Sequence, residues 1–113
     1  MARLVVEALA FDWSYPEESS TYERVRISVA VSDATTGAPV TGLTKDHFTV
    51  KYIAGGQTMV VAEVTGATQT GFYLVTIHGF DSPTAQTSHY GVAVSAPAGK
   101  GQTLVEVVTS PNP

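Results

Sequence analysis

Between Tyr22 and Ser32 the chain alternates with a period of two. Val25, Ile27, Val29 and Val31 fall on one phase, and Arg24, Arg26, Ser28, Ala30 and Ser32 fall on the other. β-Branched residues at every second position cannot line one side of a helix, whose like-facing positions recur every three to four residues, but they do line one face of a strand. The stretch therefore predicts a strand with one buried and one wet face, and such a strand needs a sheet around it and a second layer beneath it.

The remainder of the chain repeats this theme in shorter pieces. Arg3 to Asp12 reads as a first strand, followed by a polar loop from Tyr15 to Thr21 that contains Pro16. Asp33 to Pro39 is made of turn formers, with Gly37 free to take a positive φ. Val40 to Leu43 reads as a short edge piece, and His47 to Ile53 as a strand that places Phe48, Val50 and Tyr52 together. Ala54-Gly55-Gly56-Gln57 is a hairpin signal, from which Thr58 to Val64 is expected to return as the partner strand. Gly71 to Gly79 carries Tyr73, Val75 and Ile77 on one face, and Ser88 to Ala96 carries Tyr90, Val92 and Val94. Pro97 to Gly101 turns the chain into a last strand, Gln102 to Thr109. With a turn signal in each gap and no long crossover helix, these pieces predict an all-β antiparallel sandwich of about seven strands. Residues 1–109 form one domain in this reading, and 110–113 a Pro-rich tail.

Composition removes several classes of function. Hydrophobic residues make up 43% of the 113 positions and charged ones 14%, which excludes a disordered chain and leaves enough apolar surface for a core. Net charge is −4, and the nearest thing to a basic cluster is the pair Arg24 and Arg26, so a phosphate-tracking nucleic-acid surface is not expected. The absence of cysteine excludes disulfides, thiolate metal sites and cysteine nucleophiles. No run approaches the ~20 apolar residues of a membrane helix, so no membrane insertion is expected. The segment 1–10 is interrupted by Glu7 and lacks the continuity of a signal peptide, which leaves the compartment open.

Candidate chemistry is sparse. His47, His78 and His89 show neither the i, i+4 spacing of a helical metal pair nor an i, i+2 pair on a strand, and each reads as a solvated or hydrogen-bonded side chain. Asp12, Glu17, Glu18 and Glu23 crowd the first loop, but they lack the spaced oxygen ligands of a calcium loop and read as a solvated acidic segment. No Gly-x-Ser-x-Gly elbow and no phosphate-binding glycine loop occurs, so no catalytic residue, metal or cofactor is assigned. The aromatic stretch Trp13-Ser14-Tyr15-Pro16 with Tyr22 is the first choice of binding surface, because Trp and Tyr offer large contact area at low entropy cost. Sheet edges are the other candidate, with Arg3 to Asp12 and Val40 to Leu43 as the strands that a partner would extend.

Val29-Ala30-Val31-Ser32-Asp33, then Thr36-Gly37-Ala38-Pro39-Val40-Thr41-Gly42-Leu43, then Asp46-His47-Phe48-Thr49-Val50 resemble the bacterial immunoglobulin-like domains of the invasin and macroglobulin type. They are also similar to the immunoglobulin-like segment beside some von Willebrand A-type domains. Thr70-Gly71-Phe72-Tyr73-Leu74-Val75 resembles the Gly-x-Tyr strand opening of that group, and Gly101 to Val107 its closing strand. The resemblance spans roughly residues 22–109. It implies a spacer, adhesion or scaffold module, extracellular or at a cell surface, without catalytic residues. The expectation is therefore a non-catalytic structural or interaction domain whose partner is another protein or a second copy of itself. The alternative is a small carbohydrate- or ligand-binding module that holds a glycan with Trp13, Tyr15 and Tyr22.

Overall fold

The computed structural model describes residues 3–14, 24–67, 69–78 and 86–109. The alternating stretch forms β2 (Arg24–Asp33), hydrogen-bonded to β1 (Leu4–Ser14) on one side and to β5 (Phe72–His78) on the other. β4 (Val60–Gly66) completes this sheet in the order β1-β2-β5-β4. A second sheet consists of β3 (Phe48–Tyr52), β6 (Gln86–Ala96) and β7 (Gly99–Thr109) in the order β3-β6-β7. Every ladder is antiparallel. With a four-stranded sheet of first, second, fifth and fourth strands over one of third, sixth and seventh, this is the strand order of a constant-type immunoglobulin sandwich. The fold class read from the alternation is the fold observed.

The core is the set of inward phases. Val25, Ile27, Val29 and Val31 of β2 and Tyr73, Val75 and Ile77 of β5 meet Phe48 and Val50 of β3, Tyr90, Val92 and Val94 of β6, and Val105 and Val107 of β7, all buried. Each such side chain contributes roughly 1.5–3 kcal/mol through its removal from water. With no cysteine to tie the sheets together, this packing joins them, aided by the tilted Phe48–Tyr73 ring pair with centroids 5.6 Å apart.

Three local expectations are corrected. First, β4 is not the ladder partner of β3. The Gly55-Gly56 turn forms, with Gly56 at φ 76° and hydrogen bonds from Tyr52 N to Gln57 O (2.8 Å) and from Met59 N to Val50 O (2.7 Å). The pairing ends there, because Met59 is drawn into the core and the next residues join β5 in the opposite sheet. Second, Val40 to Leu43 is not an edge strand. Pro39 has no N–H to extend a ladder, and the buried Val40 carbonyl is satisfied by the Tyr73 hydroxyl (2.7 Å), which accepts in turn from Leu43 N (3.3 Å). Third, the first strand does not stop at Asp12: the ladder absorbs an extra residue between Ala10 and Asp12 and continues through Trp13 to Ser14, opposite Arg24.

The sheet edges are managed in different ways. β1 and β7 run side by side, joined at one end by a parallel bridge between Arg3 and Lys100. Contact there is so close that a Cβ at Gly101 would strike the Leu4 carbonyl. On the opposite side, Gln57 to Met59 caps the end of β3, and an extra residue between Val61 and Glu63 breaks the regularity of β4. Such devices discourage strand addition.

Candidate functional site

The outward phases of the three-stranded sheet make the most distinctive surface among the described residues. On β6, the central strand, the outward positions include Gly91 and Ala93, which have almost no side chain. Gly91 pairs with Lys51 on one side and Leu104 on the other, and Ala93 with Thr49 and Gln102. Bulk stands on both flanks and is missing in the middle. The result is an open groove of about 580 Å³, with Gly91 and Ala93 as its floor and Lys51, Ile53, Gln102 and Leu104 along its sides.

Two large apolar side chains stand on this surface. Leu104 is 63% exposed and Ile53 is 51% exposed. Ile53 follows β3 and extends its ladder by one bond, its N–H donating to His89 O at 3.0 Å. That bond aims the side chain over the strand centre, where its Cδ1 would lie 3.3 Å from a Cβ at Gly91. A glycine inside a strand weakens the strand, and it recurs where another backbone or a ligand comes close. One step along, His89 and Glu106 face each other across β6 and β7 with Nε2 and Oε2 3.4 Å apart, both solvent-exposed.

The outer face of the four-stranded sheet has the opposite profile. Its central strands carry Phe72 and Leu74, both half-buried, beside Ser28 and Ala30 of β2. A smaller hollow of about 310 Å³ lies at its rim, between Glu7, Ala30, Pro39, Gly71 and Phe72.

Most of the described residues favoured from sequence lie elsewhere. Trp13 lies in β1 opposite Val25, whereas Tyr15 and Tyr22 lie outside the described residues. Asp12 is on β1 opposite Arg26; Glu17, Glu18 and Glu23 also lie outside the described residues. His47 belongs to a 3-10 turn, Lys45–His47, where its Nδ1 accepts the Thr44 N–H at 2.9 Å, an arrangement that keeps the proton of the neutral ring on Nε2. His78 is half-buried on the outer face of β5, on the rung of Arg24 and Val60. Among the described residues no three His, Asp or Glu side chains come together as a metal site, and no helix is long and apolar enough to cross a membrane. Sequence reasoning missed the groove. Its signals were Gly91 inside the otherwise apolar run Tyr90 to Val94 and Leu104 on the phase of Gln102 and Glu106, where a polar residue is expected.

No protein-family model matches the chain, and neither does any curated protein or solved structure. Its immunoglobulin-like character rests on the order and packing of the two sheets.

Proposed function

We propose that this immunoglobulin-like sandwich is a non-catalytic interaction module that docks a protein through the outer face of β3, β6 and β7. One observation carries the reading: a central strand stripped of side chains at Gly91 and Ala93, flanked by exposed Ile53 and Leu104. Covering those two side chains is worth up to roughly 1.5–3 kcal/mol each, which supplies an apolar centre for an interface. The floor is a glycine and an alanine, with Ile53 and Leu104 beside it and Thr49, Lys51 and Gln102 on the adjoining strands, a mixture that suits protein contact. The edge treatment of β1, β3, β4 and β7 supports a face as the docking element over an added strand. The turn and strand likeness to invasin-type domains accords with an adhesive or scaffolding role.

Site-specific photo-crosslinking in the producing cells tests this. Leu9, on the outer face of the four-stranded sheet, is 68% exposed and so serves as a control no less accessible than Leu104. A photoreactive residue at 104 is expected to give discrete protein adducts, and one at 9 none. Adducts from 9 alone, or from neither position, would overturn the assignment.

A further inference from the structure

We infer that the occupant of this groove is a second copy of the same chain, packed face to face about a two-fold axis that runs parallel to the strands. The inference rests on the docking reading above and names the partner.

Shape is the first ground. A two-fold interface brings one patch against itself, so the patch must complement itself. With β6 lying over β6 about this axis, Ile53 of one copy falls one rung from Leu104 of the other on each wing, and these two apolar pairs flank the facing Gly91–Ala93 floors.

Charge is the second ground, and it selects the axis. The chain carries a net −4, which disfavours indiscriminate self-contact. On this face, however, Lys51 stands on the β3 wing and Glu106 on the β7 wing. An axis perpendicular to the strands would lay β3 on β3 and bring like charges together. An axis parallel to the strands lays β3 of one copy over β7 of the other. Lys51 then comes over the rung of the partner's Leu104, and Glu106 of that copy is one rung further along the same strand. The lysine stem covers Leu104 while the ammonium reaches the carboxylate, a division of labour that long cationic side chains permit. His89 stands beside Glu106, and Lys100, on the same phase of β7, lies four residues from Leu104, farther than Glu106. Symmetry makes two Lys51–Glu106 contacts per dimer, so any change at either residue counts twice.

A face only three strands wide is small beside the ~800 Å² per partner of a standard interface, so the dimer is expected to be weak and concentration-dependent. Sedimentation velocity on the full chain reads it directly. The expected result is a monomer–dimer equilibrium that Leu104→Asp abolishes. Lys51→Glu and Glu106→Lys should each weaken it by roughly tenfold, as two like-charge contacts replace two opposite ones. The double variant Lys51→Glu/Glu106→Lys should recover it, which no loss of folding could imitate. A chain monomeric at millimolar concentration, a dimer indifferent to Leu104→Asp, or a charge swap without recovery would overturn the inference. A monomeric chain that still gives adducts with a different protein from position 104 defeats self-pairing alone. Absence of any adduct from 104 defeats the docking reading as well.

Discussion

The two outer faces of this sandwich are built on the same ladder geometry and end up as opposites. On the four-stranded sheet the central strands carry Phe72 and Leu74, half-buried, while the exposed apolar residues Val5, Leu9 and Val60 sit out on the edge strands β1 and β4. On the three-stranded sheet the centre is Gly91 and Ala93, and the apolar bulk stands on the flanks. Both faces therefore expose apolar area, and amount alone does not separate them. Position does. Side chains at the centre are covered by their neighbours on both sides and belong to the domain's own stability, whereas bulk around an empty centre makes a concavity that only another molecule can fill.

The comparison predicts that the difference lies entirely on the outside. Val75 of β5 and Val92 of β6 are both fully buried, each on the inward phase behind one of these faces. Val75→Ala and Val92→Ala should each cost about 2–3 kcal/mol, two methyl groups plus the cavity left behind, and the two values should agree within about 1 kcal/mol. Urea denaturation measures both. A much smaller cost at Val92 would mean that the three-stranded sheet is loosely packed throughout, and the outer contrast would lose its meaning.

A smaller effect divides the faces themselves. Leu74→Ala removes a half-buried side chain flanked on its rung by Ser28 and Thr65 and should cost about 1–2 kcal/mol. Leu104→Ala removes a more exposed one and should change stability by less than about 0.5 kcal/mol, measured at concentrations where the chain is monomeric. Equal losses at both positions would show that Leu104 is part of the domain's own packing and not a free knob.

How much of this was legible beforehand follows the range of the forces involved. Inward phases depend only on alternation, so Val25 to Val31, Tyr73 to Ile77 and Tyr90 to Val94 were readable from the chain alone and all are core. The sheet that a strand joins is a tertiary matter. Gly55-Gly56 signalled a hairpin and the turn formed, yet nothing local says that Met59 will be pulled inward and that β4 will cross to β5. β1 likewise absorbs an extra residue between Ala10 and Asp12 and runs on to Ser14, two residues past the end that its pattern suggests. The groove was the hardest to see, since a missing side chain at Gly91 becomes a surface only when Ile53 and Leu104, at distant points in the sequence, are set beside it. Trp13 and Tyr15 attracted attention by chemistry; Gly91 required geometry.

The smallest predicted effect sharpens the contrast at the turns that border the two faces. The turn after β3 is closed by a backbone hydrogen bond, Gly56 N donating to Tyr52 O at 2.7 Å, and no residue from Ile53 to Gln57 titrates. The turn after β2 is held by a carboxylate: Asp33 Oδ1 accepts the N–H groups of Thr36 (3.0 Å) and Thr35 (2.8 Å). Those bonds, Thr36 first and Thr35 second, hold the Asp33 carboxyl below its ordinary value of 3.8. A carboxyl depressed on folding is more readily ionised in the folded chain than in the unfolded one. Its contribution is therefore complete above the ordinary value and is lost as pH falls from there through the folded value. Between those limits the Thr35 and Thr36 amide resonances should move with acid titration while that of Gly56 stays still. In Asp33→Asn, whose amide oxygen still accepts but does not titrate, the movement should vanish and the acid slope of Tm should flatten slightly. Movement of Gly56 in parallel with Thr36 would mean that the whole sandwich loosens together, and that the two sides are not held independently.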